Sequence, residues 1–277
     1  MTGRAKYFTK KLVRKGDGLE CPNEGSVCLI NLQAFQGEEN PLFEKKDETW
    51  IIGQDSGYVS EIINECLEEM RTGEICKVSI HPCQELQDHL KKLDTSEKLA
   101  IDHQIELVSF TKAKNSWEST FDERCDYAQK QKAKGTRYYK ADLWLFAARH
   151  YSKALRSLII SRTQLPSDKS IEDFSLLQVQ CYLNLAACQL KLERYQHVIE
   201  NCTKVLLNDS ANIKALYRRA KAYTALNDFD DASADLNTAL DLEPKNKEVT
   251  LLQNQLNQKR QQHDQVTARA MGKMFQN

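Results

Sequence analysis

Two adjacent 34-residue stretches decide the fold: VQCYLNLAACQLKLERYQHVIENCTKVLLNDSAN at 179–212 and IKALYRRAKAYTALNDFDDASADLNTALDLEPKN at 213–246. Ala186-x11-Val198-x3-Cys202-x2-Val205 in the first recurs as Ala220-x11-Ala232-x3-Leu236-x2-Ala239 in the second. A small side chain in each of two helices lets them pack closely antiparallel, and an aromatic nine residues after the first, Tyr195 or Phe229, plugs the turn. Upstream, Gly135-x11-Ala147-x3-Tyr151-x2-Ala154 keeps the internal spacing, with Trp144 as its aromatic, but lies 51 residues before the next copy. The 17 extra residues fall around Leu158–Leu176, where Pro166-Ser167-Asp168 marks a loop between lengthened helices.

Residues 118–277 hold only Gly135 and Gly272 and only Pro166 and Pro244, so long helices are expected throughout. The spacing predicts an all-α solenoid over 118–247 with repeats at about 128–161, 179–212 and 213–246. Val249, Leu252 and Leu256 then fall at helical spacing in a polar stretch, which predicts a capping helix over 248–277.

The first 117 residues are punctuated differently. After Lys10–Arg14 and a turn-rich Gly16-Asp17-Gly18, Cys28–Phe35 reads as a strand, Trp50–Ile52 is a further short apolar run closed by Gly53, and the alternation of Cys76, Val78 and Ile80 and the run Ile105–Val108 read as two more strands. Val59, Ile62, Ile63, Cys66, Leu67 and Met70 form one face of a three-turn helix, with Gly73 placed as its C-terminal cap. Strands around one helix describe an α+β domain over 1–117.

The chain has 277 residues, 41% hydrophobic and 28% charged, which is the composition of globular domains, and no apolar run approaches a membrane span. The 39 basic and 39 acidic side chains argue against a nucleic-acid-coating protein. They are unevenly distributed: residues 1–117 carry 15 basic and 20 acidic, residues 118–277 carry 24 and 19, so an acidic partner is expected on the second half. Nine cysteines without a C-x-x-C pair are expected to be reduced and structural, and MTGRAKYFTKKLVRKG has no apolar core of a signal peptide. The expected compartment is cytoplasmic, with the nucleus as a second location. Six scattered histidines form no metal-ligand spacing and sit beside no nucleophile, so neither metal, cofactor nor catalytic constellation is expected.

The three copies, with Pro244 after the third, resemble tetratricopeptide repeats. In such a solenoid the first helix of each repeat lines a concave groove, and here those helices carry Lys132, Thr136, Asn184, Lys214 and Arg218. Lys214 and Arg218 are four apart, so both cations reach one anion. These positions resemble the carboxylate clamp of tetratricopeptide co-chaperones, which grips the Glu-Glu-Val-Asp C-terminus of heat-shock proteins 90 and 70. The family has Asn where this chain has Thr136; the other four match, and the shorter side chain is expected to cost about 1 kcal/mol.

Gly16-Asp17-Gly18, Gly25-x2-Cys28, Glu68-Glu69-Met70-x2-Gly73-Glu74 and Lys77-Val78-Ser79-Ile80-His81-Pro82 resemble the FK506-binding peptidyl-prolyl isomerase domain, an antiparallel sheet with one helix. That enzyme holds proline in an aromatic pocket. By the resemblance its pocket tyrosine becomes Leu32, a wall phenylalanine Glu48 and the floor tryptophan Ile63; Val59 is kept, and Ser60 replaces an isoleucine. Gln36–Phe43 offers no counterpart to a Phe-Asp pair, and Cys83–Lys98, without Phe, Tyr or Trp, replaces a tyrosine-bearing loop. A degenerate isomerase domain followed by repeats and a capping helix is the plan of immunophilin co-chaperones. The resemblance implies a non-catalytic adaptor linking heat-shock protein 90 to clients such as steroid receptors or cell-cycle regulators. An active isomerase and a scaffold for an internal peptide are the alternatives.

Overall fold

The computed structural model describes residues 8–35, 41–54, 57–81, 102–114, 118–159 and 168–274. The expected features at Cys83–Lys98, Gln36–Asn40 and Pro166-Ser167 lie outside them. Two compact units divide the chain, the second beginning at Phe121.

The first unit is an antiparallel sheet with one helix. Strands β1 (Phe8–Arg14), β2 (Val27–Phe35), β3 (Phe43–Ile51), β4 (Ile75–Ile80) and β5 (Asp102–Thr111) order as β1-β4-β5-β2-β3. Alternation does what it predicts on β2, where Cys28, Ile30, Leu32 and Ala34 are buried, and on β4, where Cys76, Val78 and Ile80 are. Helix α1 (Tyr58–Leu67) lays Ile62, Ile63, Cys66 and Leu67 on that face. Gly73 does not cap it. The helix stops at Leu67 with Glu68 in right-handed geometry, and Gly73, at φ +76°, instead turns the chain into β4, its N–H bonding to Leu107 O at 2.7 Å. Gly16 is required by contact: a Cβ there would lie 2.7 Å from the Thr72 carbonyl oxygen.

The second unit is helical: α2 (Phe121–Lys140), α3 (Trp144–Ser157), α4 (Asp168–Lys191), α5 (Tyr195–Asn208), α6 (Ile213–Leu226), α7 (Phe229–Leu242) and α8 (Lys247–Met274). The predicted small-residue positions Ala147, Ala154, Ala186, Ala220, Ala232 and Ala239 are all fully buried. Among the helices the lengthening falls on α4, which has 24 residues where α6 has 14, and the rest of it lies between Ser157 and Asp168. Each helix pair turns on a non-glycine residue with positive φ two positions before the aromatic: Asp142 (60°), Glu193 (55°) and Asn227 (68°). The turn bonds repeat too, Arg194 N–H to Gln189 O and Asp228 N–H to Tyr223 O, both 2.9 Å.

The period extends into α8. Asn212 Oδ1 accepts from Ala215 N–H (3.1 Å) at the start of α6, and 34 residues on Asn246 Oδ1 accepts from Val249 N–H (3.2 Å) at the start of α8. Val249, Leu252 and Leu256 are buried against Leu216, Ala220, Phe229 and Leu236, so α8 packs on the third repeat as the first helix of a further repeat would.

Candidate peptide-binding groove

The five residues singled out for anion binding sit on α2, α4 and α6. Lys132 Nζ donates to Gln180 Oε1 of α4 at 2.5 Å, and Arg218 of α6 donates from Nη1 to the Leu183 carbonyl at 2.9 Å. Gln180 and Leu183 both precede Asn184 on α4, by four residues and by one, so Lys132 and Arg218 each anchor on the turn that leads to it. Lys214 is exposed one turn before Arg218, and neither it nor Asn184 has a side-chain partner among the described residues. Lys132 and Arg218 thus both contact α4 on residues that precede Asn184, and Lys214 is exposed one turn before Arg218 on α6.

Thr136 is placed otherwise. Its hydroxyl donates to the Lys132 carbonyl (2.9 Å) and stands 3.1 Å from the Tyr151 hydroxyl. Burial pushes the Tyr151 phenol up to about 12, so it keeps its proton and donates it to Thr136. With its own proton committed to the backbone, Thr136 has none to offer a ligand.

Arg219, adjacent to Arg218 in sequence, belongs to the scaffold. It forms a bidentate pair with Asp235 (2.7 and 2.8 Å) and donates to Thr203 Oγ1 at 3.1 Å. Equivalent buried pairs join the helices of the other repeats: His150 Nδ1 with Gln131 Oε1 at 2.7 Å, and Asn201 Nδ2 to Gln189 Oε1 at 2.8 Å. His150, Asn201 and Asp235 each precede the third residue of their repeat pattern, a regularity the sequence reading missed. The thiols beneath the groove are inert: burial pushes Cys188 and Cys202 up to about 12, although Arg218 pulls each back.

In the first unit, Leu32 and Ile63 are built into the apolar core and Val59 packs at its margin, while Ser60 is half-buried. Glu48 pairs with Lys45 at 2.9 Å. Leu32 and Ile63 thus present aliphatic side chains to this core. The Trp50 indole donates to Asn64 Oδ1 at 2.7 Å, a bond that sequence gave no sign of. Asn64 Nδ2 and His103 Nδ1 are buried without a partner among the described residues, and burial lowers the His103 imidazole from its usual range. No group of three metal-ligating side chains occurs among the described residues.

Residues 213–246 match the tetratricopeptide repeat family. The protein called FK506-binding protein-like of Mus musculus is 32% identical over 274 residues, covering 97% of this chain and 71% of that protein. Peptidyl-prolyl cis-trans isomerase FKBP4 of Bos taurus is also 32% identical, over 240 residues, covering 86% of this chain and 51% of that protein. The chain thus spans about half the length of its FKBP4 relatives. Among solved structures, the C-terminal tetratricopeptide-repeat-containing domain of an FK506-binding protein of Plasmodium falciparum matches with a TM-score of 0.50 and 26% identity, over 55% of this chain and 99% of that one.

Proposed function

Because this chain belongs to the family of immunophilins that join an FK506-binding-protein-like domain to tetratricopeptide repeats, we propose that it is a non-catalytic adaptor whose repeat groove holds the acidic C-terminus of heat-shock protein 90. One observation carries this reading: Lys132 from α2 and Arg218 from α6 both bond to the turn of α4 that leads into Asn184, whose side chain has no partner among the described residues. Lys214 adds a third positive charge on the exposed side. A ligand with a terminal carboxylate and acidic side chains satisfies those donors at once. The tail of heat-shock protein 70 ends in the same four residues and is a second ligand of the same groove.

The first domain is read as a partner-contact or packing unit without isomerase activity, because Leu32 and Ile63 fill the core and Glu48 pairs with Lys45 where the pocket needs aromatic walls. The clients are steroid receptors or cell-cycle regulators, and the working compartment is the cytoplasm and nucleus.

Complex formation between this protein and intact heat-shock protein 90, followed by light scattering on a sizing column, tests the adaptor reading. A complex that disappears when the last five residues of the chaperone are removed supports it, and one that survives the truncation overturns it. Turnover of a proline-containing peptide by the protein would overturn the non-catalytic part and favour an active isomerase.

A further inference from the structure

Resting on the reading of the groove as a site for an acidic C-terminus, we infer that the Gln180 side-chain amide is a ligand-binding donor, standing beside Lys132 and Asn184. Gln180 and Asn184 are four apart on α4 and share a helical face. The orientation of the Gln180 amide is fixed by chemistry, since a lysine ammonium only donates and the atom facing Lys132 Nζ at 2.5 Å must be the carbonyl oxygen. The amide NH2 therefore points away from Lys132, half-buried and without a partner among the described residues. A half-exposed amide of this kind is hydrated in solution. A ligand that displaces that water must supply acceptors, and a carboxylate has about four lone-pair sites for them.

The same contact holds Lys132 in place and spends only one of its three N–H groups. Thr136, the residue one turn further along α2, has its hydroxyl committed to the Lys132 carbonyl and to Tyr151. The first-repeat side of the groove therefore presents one ammonium from α2 and one amide from α4. Gln180 supplies the neutral donor that Thr136 withholds.

Fluorescence anisotropy with a labelled Met-Glu-Glu-Val-Asp peptide, free acid, tests this on the full chain. Gln180→Glu keeps an acceptor for Lys132, so the melting temperature stays level or rises, while its charge faces the ligand carboxylate; affinity falls about tenfold or more. Gln180→Ala weakens binding by about threefold to tenfold, and adding Thr136→Asn restores most of the loss. Wild-type affinity in both Gln180 variants overturns the role of Gln180 while leaving the groove reading intact. Failure of the wild-type chain to bind the free acid overturns the groove reading, and this inference with it.

Discussion

Gly135 is small for a measurable reason. A Cβ there would lie 2.9 Å from Cε1 and 3.1 Å from Cδ1 of Tyr151, whose ring is 2% exposed and has no room to retreat. The other repeats carry alanine at this position opposite Cys202 or Leu236, so glycine is the complement of a tyrosine. Gly135→Ala gains helix propensity of about 1 kcal/mol but overpacks the core by about 1–3 kcal/mol. The expected outcome is a lower urea midpoint, recovered when Tyr151→Leu accompanies the change. His103 gives a second test. A free imidazole titrates at 6.5, and burial lowers His103 below that. Between the two values the unfolded chain binds the extra proton, so the contribution is fully present above about 6.5 and is lost as the pH falls below it. Acidification from about pH 7.5 to about 5.5 therefore lowers the urea midpoint, and His103→Leu reduces that drop. The groove residues were singled out by their resemblance to the carboxylate clamp, whereas the small-residue spacing was legible because helical period alone aligns it. The commitment of Thr136 was not, since it depends on Tyr151, 15 residues away on another helix. Nor was Gln180, whose role is set by a contact between α2 and α4.

Each pair of helices turns through a left-handed residue, and the three positions are not equally suited to it. Asn227 is a residue that tolerates this conformation, and its neighbour Asp228 closes the turn onto Tyr223. Glu193, with φ of 55°, is poorly suited, and left-handed geometry costs a residue with a Cβ about 1 kcal/mol or more. Glu193→Gly is expected to raise stability by about 0.5–1 kcal/mol, read as a higher melting temperature. Asp235 behaves in the opposite sense. It is 6% exposed and its bidentate bond to Arg219 joins α6 to α7. Asp235→Ala leaves the guanidinium short of its partner, at an expected cost of about 2–3 kcal/mol, discounted from a fully buried pair because Arg219 reaches solvent. Leu256→Ala in α8 opens a cavity against the third repeat and costs about 2–5 kcal/mol in the same urea titration. Helix periodicity announced α8 through Val249, Leu252 and Leu256. The turns carried no such mark, because glycine is the usual signal and Asp142, Glu193 and Asn227 stand in its place. Gly73 misled for the same reason: glycine marks a left-handed turn without saying whether a helix precedes it.

At the scale of the whole molecule, the net positive balance of the repeats and the net negative balance of the first domain separate two roles. On the proposed reading, Lys132, Lys214 and Arg218 attract an acidic tail electrostatically, so affinity is expected to fall as salt rises. On the same reading, specificity comes from the terminal carboxylate, which an internal acidic segment lacks. Losing either Lys214 or Arg218 leaves that carboxylate incompletely paired in a partly desolvated groove, an expected cost of about 2–5 kcal/mol. The most direct measurement is calorimetric titration of the protein with a Met-Glu-Glu-Val-Asp peptide, as the free acid and as the C-terminal amide, repeated with Lys214→Ala and Arg218→Ala. The account predicts binding of the acid at about micromolar affinity, abolished by amidation and in both variants. Equal binding of acid and amide, or binding unchanged in the variants, would contradict it.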